Sequence, residues 1–136
     1  MCGGLAKYFD VDPTIARIRE VLVEWYDLLA DGYDRVLGVL ENALQGLTED
    51  DLNWQPRADG NSIGWLAWHL TRVQDDHIAS LMGEEQLWTK DEWHVRFNRS
   101  SDPKDIGFGH VPGQVAALKS PDVETLLDYY RAVLEK

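Results

Sequence analysis

Apolar side chains recur at three- and four-residue spacing from Ile15 through Ile18, Leu22, Trp25, Tyr26, Leu29, Tyr33, Val36, Leu37 and Leu40 to Leu44. This is the period of a helix with one buried face. Asp12 followed by Pro13 supplies an N-cap and a proline at the first helical position, and Gly46 stops the run. At 1.5 Å per residue the pattern predicts a rod of roughly 50 Å, with Gly32 and Gly38 as places where it bends. A rod with one apolar face asks for antiparallel partners of similar length, which is the logic of an up-and-down bundle.

Thr48, ahead of Glu49, Asp50 and Asp51, predicts a short capped turn, and the proline- and glycine-punctuated stretch from Asn53 to Gly60 predicts a loop. A second helix is expected from Ser62 to just before Gly83, with Ile63, Leu66, Ala67, Leu70, Val73, Ile78 and Leu81 as its core stripe. Between Gly83 and Val111 no long period appears, yet Trp88, Trp93, Phe97 and Phe108 make the stretch too apolar for a solvated linker. It reads either as a lid or binding loop or as a loop folded over the open end of a bundle, with short helical turns near 91–97 and 112–118. Ser120, Pro121 and Asp122 predict the cap, first position and acidic first turn of a third helix, whose apolar face is Val123, Leu126, Leu127, Tyr130, Val133 and Leu134. No strand alternation is visible. The expectation is an all-α chain, one domain over 1–136 with three long helices, resembling a four-helix bundle truncated at its C-terminal end.

Composition narrows the function. With 44% hydrophobic and 27% charged residues over 136 positions, the chain reads as a soluble domain able to bury a core without a disulfide or metal staple. Acids outnumber bases 24 to 13, a formal charge of −11, which opposes binding to nucleic acid and to anionic lipid. Cys2 is the one cysteine, so no internal disulfide forms, and a terminal thiol lacks the basic pocket that makes a reactive thiolate. No apolar run approaches the ~18 residues of a membrane helix and no secretory leader is evident, so a cytoplasmic protein is expected.

The histidines are His69, His77, His94 and His110. His69 and His77 lie eight residues apart on one helix, roughly 12 Å along its axis, too far to share a metal. The positions one turn from His69 are Trp65, Leu66, Arg72 and Val73, none a metal ligand, so co-ligands for His69 would come from another helix. Periodicity puts His77 on the apolar stripe with Ile63, Leu70 and Leu81, and His69 to one side with Trp65, Arg72, Asp76 and Ser80; His77 is therefore expected to be the buried one. Asp75 and Asp76 read as a solvated face, with Asp76 paired to Arg72 across one turn. Trp54, Trp65, Trp68 and Trp88 suit packing or the lining of a groove. No phosphate-cradling motif or Ser-His-Asp triad is present, and no catalytic residue is identifiable.

The stretch Asn61-Ser62-Ile63-Gly64-Trp65-Leu66-Ala67-Trp68-His69-Leu70-Thr71-Arg72-Val73-Gln74-Asp75-Asp76-His77-Ile78-Ala79 resembles the second helix of the DinB/YfiT-like superfamily, in the branch related to mycothiol-dependent proteins. Leu47 to Pro56, Glu85-Gln86-Leu87-Trp88 and Gly107-Phe108-Gly109-His110 fit the same pattern, so the likeness covers most of the chain from about residue 13. The resemblance implies an up-down-down-up four-helix bundle, often dimeric, with a divalent metal (zinc, nickel or iron) held by His69 and by ligands from a fourth helix that this chain lacks. It places His77, Asp76, Trp65, Trp88 and His110 around the pocket or behind the metal ligand. It implies a small-molecule substrate and S-transfer or isomerisation with mycothiol or a related low-molecular-weight thiol as co-substrate, the metal lowering the thiol pKa. The apolar faces left open imply self-association. The competing reading is a non-catalytic module that binds a small apolar ligand or a partner helix in an interhelical groove.

Overall fold

The computed structural model describes residues 13–136, apart from the side chains of residues 13, 15–24 and 26; Cys2 and the expected Asp12 cap lie outside the described residues. Regular structure among the described residues is helical: α1 (Pro13–Leu44), α2 (Glu49–Asn53), α3 (Ile63–Met82), α4 (Leu87–Lys90), α5 (Trp93–Arg96), α6 (Pro112–Ala117) and α7 (Val123–Leu134). α1, α3 and α7 are the three long helices expected. No described helix is long and apolar enough to cross a membrane.

The chain divides into two compact units, residues 1–35 and 36–136. In the first, α1 carries an exposed pair in which Arg35 Nε donates to Asp31 at 2.7 Å. At one-turn spacing in water such a pair contributes a few tenths of a kcal/mol. The second unit holds the remainder of α1 and every later element.

Local chemistry explains the boundaries. Thr48 and Asp51 form a reciprocal capping box at α2, the Asp51 amide donating to Thr48 Oγ1 at 3.2 Å and the Thr48 amide to Asp51 at 2.9 Å. Ser62 Oγ accepts the Trp65 amide to start α3, and Gly83 at φ 67° closes it in the left-handed conformation. At α7 the cap is Asp122, which accepts the Thr125 amide at 2.6 Å; this corrects the expectation of Ser120 as cap and Pro121 as first helical residue. Ser120 is instead tied to α2, its amide donating to Asn53 Oδ1 at 2.8 Å and its carbonyl accepting from Asn53 Nδ2 at 3.0 Å. That tie presses Ser120 onto α3 at Gly64, where a Cβ would stand 2.5 Å from Ser120 Oγ and 2.8 Å from the Leu52 carbonyl oxygen.

α3 sits the other way round from its hydrophobic stripe. Its buried positions include Trp65, Trp68, Thr71, Arg72, Asp75 and Ala79, whereas Leu66, Leu70 and Leu81 are exposed. His77 is exposed as well, which corrects the expectation that it is the buried histidine. The aromatic and charged face is covered by α7 and by the chain from Leu87 to Leu118, whose Trp88, Trp93, Phe97, Val115 and Leu118 join Tyr129, Tyr130 and Val133 in the core. A length-average hydropathy cannot anticipate that a face carrying arginine and aspartate is the covered one.

The charged pair is buried because every donor is answered. Arg72 and Asp75 are both fully inaccessible. Asp75 accepts from the Leu87 and Trp88 amides at 2.9 Å each and from the Tyr129 hydroxyl at 2.8 Å. Arg72 donates to Asp75 (3.5 Å), Tyr129 Oη (3.2 Å), Gln86 Oε1 (2.9 Å) and the carbonyls of Pro103 (3.0 Å) and Asp105 (3.3 Å), with its guanidinium over the Trp88 ring. Buried ions persist when so satisfied. Burial first, and then the neighbouring Asp75 carboxylate, push the Tyr129 phenol far above its ordinary range against the opposing pull of Arg72, so it stays a neutral donor. The expected Asp76–Arg72 pair and the solvated Asp75 are both corrected: Arg72 pairs with Asp75, and half-buried Asp76 accepts from Gln86 Nε2 at 2.7 Å.

Candidate functional site

The exposed stripe of α3 lines a groove. Ile63, Leu66, Leu70 and Val73 face Val36, Val39 and Ala43 of α1 across a groove of about 480 Å³. Every lining side chain is aliphatic except one, His69. A neighbouring hollow of about 400 Å³ shares Ile63 and Leu66 and is lined by the exposed Trp54.

His69 is held on three sides. Its Nδ1 donates to the Ile106 carbonyl, its ring stacks on Trp65 with centroids 4.7 Å apart, and the backbone of Gly107 closes over it. A carbonyl only accepts, so Nδ1 carries the proton, and in the neutral ring Nε2 carries the lone pair. Among the described residues no protein group is bonded to Nε2. The ring therefore offers the groove one hydrogen-bond acceptor.

His110 has the opposite character, since both its nitrogens are committed. Nδ1 accepts from Trp65 Nε1 at 3.1 Å, which requires Nε2 to hold the proton, and Nε2 donates to Asp105 at 2.9 Å. The second carboxylate oxygen of Asp105 accepts from Arg99 at 2.6 Å. Burial raises the Asp105 pKa, but the hydrogen bond and charge of Arg99, together with the hydrogen bond from His110, outweigh it and leave the carboxyl below its ordinary value. The ring of His110 also lies parallel to Trp68, centroids 6.0 Å apart. His110 is thus a clamp joining the 99–110 loop to α3.

The other residues picked from sequence fall apart spatially. Trp65 is buried and supports both His69 and His110. Trp88 is wholly enclosed between Trp68, Phe97 and Tyr129, its Nε1 donating to the Ser100 carbonyl at 3.1 Å, so it belongs to the core and does not line the groove. Asp76 orients Gln86 toward Arg72. His77 lines no part of the groove. Sequence reasoning missed Ile106, whose carbonyl sets the His69 tautomer; the signal available was the adjacent Gly107-Phe108-Gly109 run, a turn signature.

The donor set bears on a metal. Among the described residues no three His, Cys, Asp or Glu side chains gather where they could hold an ion. A catalytic zinc takes three protein ligands. The described residues therefore do not by themselves make a complete metal centre.

A family model described as the DinB superfamily matches residues 32–136. No curated protein matches the sequence. The fold is similar to the crystal structure of a conserved protein from Enterococcus faecalis, with a TM-score of 0.72 and 26% identity, covering 80% of this chain and 64% of that one. The chain thus spans less than two thirds of that protein's length.

Proposed function

We propose, for a chain that belongs to the DinB superfamily, that the groove between α1 and α3 binds a compact, largely apolar small molecule oriented by one hydrogen bond to His69 Nε2. The observation that carries this reading is a 480 Å³ aliphatic concavity whose single polar wall group is an imidazole with one uncommitted nitrogen. Small-molecule sites have this composition, apolar walls with a few fixed polar groups. Removing about 400 Å² of combined apolar surface from water gains ~10 kcal/mol, of which association consumes ~4 or more. The remainder corresponds to dissociation constants of tens of micromolar. The acidic charge of the chain favours neutral or cationic ligands over anions.

A second reading, a divalent metal at His69 serving thiol S-transfer of the mycothiol type, is favoured by one observation. Metal-bound histidines characteristically donate their other ring N–H to a carbonyl or carboxylate, as His69 does to Ile106. Further ligands would have to come from outside the described residues.

One titration separates the two. N-phenyl-1-naphthylamine is a neutral fluorescent probe with one N–H donor. It is expected to saturate a single site with tens-of-micromolar affinity, to bind about fivefold more weakly to His69→Ala, in keeping with ~1 kcal/mol for one hydrogen bond, and to be excluded by Val39→Trp, a change at an exposed groove position. Chelator should change nothing. Stoichiometric metal that is lost in His69→Ala, with probe binding abolished by chelator, would instead establish the metal reading. An affinity that falls as protein concentration rises would show a second copy of the chain competing for the groove.

A further inference from the structure

Trp54 is 65% exposed, yet its backbone is held between two anchored neighbours. The Asn53 side chain donates to the carbonyls of Glu49 (2.8 Å) and Ser120 (3.0 Å) and accepts the Ser120 amide at 2.8 Å. Gln55 Nε2 donates to the Gly60 carbonyl at 2.7 Å, and the Trp54 amide donates to the Asp51 carbonyl at 3.3 Å. Trp54 lines the hollow of about 400 Å³ together with Asp51, Asn61 and the apolar Leu47, Pro56, Ile63 and Leu66. One concavity thus combines an indole, a carboxylate and aliphatic walls on a fixed support.

The indole and the carboxylate both have capacity to spare. Arg72 lies over Trp88 at 4.7 Å, Arg96 over Trp93 at 4.1 Å and Arg99 over Trp68 at 5.5 Å. Among the described residues no cation covers Trp54. Asp51 Oδ2 accepts from the Thr48 hydroxyl at 2.7 Å and from the Thr48 amide at 2.9 Å, and no described group donates to Oδ1. Those two bonds, the hydroxyl's first and the amide's second, hold the carboxyl below its ordinary range against the opposing effect of burial, so it is ionised at neutral pH. Arg57, the basic residue of the 47–61 segment, is paired with Asp59 at 3.1 Å and lines no part of the hollow. An indole face attracts a cation, most strongly one with little hydration to lose. A metal ion asks for several oxygen ligands, and a primary ammonium brings three N–H donors to a hollow with one carboxylate. An alkylated ammonium instead presents methyl groups, which suit the indole and the aliphatic walls alike. The formal charge of −11 draws cations toward the chain.

We infer that the Trp54 hollow is a second binding site, independent of the groove reading, for a small alkylated ammonium compound whose head sits over the indole and beside Asp51 Oδ1. Choline and 3,3-dimethyl-1-butanol share one shape and differ by the positive charge. Each is titrated into the full chain and followed at the Asn61 backbone amide by nuclear magnetic resonance. Choline is expected to saturate in the millimolar range, and the alcohol to bind about tenfold more weakly. Asp51→Asn should weaken choline about fivefold and leave the alcohol unchanged, whereas Thr48→Ala, which loosens the cap but keeps the carboxylate, should leave choline binding intact. Trp54→Phe should weaken choline about twofold and Trp54→Leu about fivefold, following the strength of the ring face, again without effect on the alcohol. Equal affinity for the two probes, a loss in Thr48→Ala that matches Asp51→Asn, or a Trp54→Leu loss shared by the alcohol overturns the inference, as does a wild-type titration that leaves Asn61 unmoved. Cosedimentation with phosphatidylcholine vesicles that free choline fails to compete away would make this a lipid-surface contact and overturn the assignment to a free small molecule. These outcomes leave the groove reading untouched, because neither Trp54 nor Asp51 lines the groove.

Discussion

Replacing Gly107 by alanine tests whether the loop is seated on α3 as tightly as the geometry requires. Two costs are separable. The backbone at φ 90° is one an L residue adopts only under strain, worth roughly 1–3 kcal/mol. The added methyl meets His69, Trp68 and Trp65 at 2.9 to 3.1 Å. Trp68 is fully buried, so none of this crowding is relieved by a flexible chain end, and overpacking of this kind costs about 1–3 kcal/mol. The loop can escape by lifting off α3 and giving up the Ile106–His69, Trp65–His110 and Arg72–Asp105 bonds, at ~1 kcal/mol each, which caps the loss near 3 kcal/mol. Gly109→Ala is the control: its φ is also positive, at 77°, but its Cβ meets nothing, so the backbone term stands alone at roughly 1–2 kcal/mol. At roughly 4 °C per kcal/mol for a chain of this size, thermal unfolding followed by circular dichroism should drop by about 10 °C for Gly107→Ala and about 5 °C for Gly109→Ala. Nitrogen shifts in nuclear magnetic resonance should show the Nδ1–H tautomer of His69 lost in the first variant and kept in the second. Equal melting temperatures for the two alanines, or an unaltered His69 tautomer in Gly107→Ala, would refute the tight seating of the loop.

Two further predictions concern buried and half-buried carboxylates. Asp75→Asn removes the charge that pairs with fully buried Arg72 and leaves a group unable to accept from both the Leu87 and Trp88 amides; a loss of about 3–5 kcal/mol in urea unfolding is expected, against less than ~1 kcal/mol for Asp76→Asn, and similar losses for both would sink the assignment of the pair. The Asp105 carboxyl titrates below its ordinary value in the folded chain, so its contribution is complete above about pH 4 and is lost as pH falls through the lower folded value. Denaturation midpoints between pH 5 and pH 3 should fall more steeply in the wild type than in Asp105→Asn, and parallel curves would contradict that linkage.

Helix identity was legible along the chain because local signals agree with one another: the periodic apolar positions of α1, the capping box at Thr48 and the glycine stop at Gly83 act within a few residues of where they are written. Membership of the superfamily was legible for the same reason, since the Trp-His and Asp-Asp-His run of α3 is contiguous. Which face of α3 is covered was not. Periodicity ranks faces by average hydropathy, and the aliphatic face of α3 is the stronger stripe, yet it opens on the groove while Trp65, Trp68, Arg72 and Asp75 are enclosed. That inversion depends on partners 12 to 57 residues away, the Leu87 and Trp88 amides and the Tyr129 hydroxyl, which together make a buried arginine and aspartate tolerable. The roles of the histidines were hidden for the same reason. His69 and His110 are chemically identical in the sequence, and only the folded loop, by giving one a backbone carbonyl and the other an indole and a carboxylate, leaves a free nitrogen on His69 and none on His110. Local free energies are written in local sequence, whereas desolvation and hydrogen-bond satisfaction depend on what the rest of the chain brings alongside.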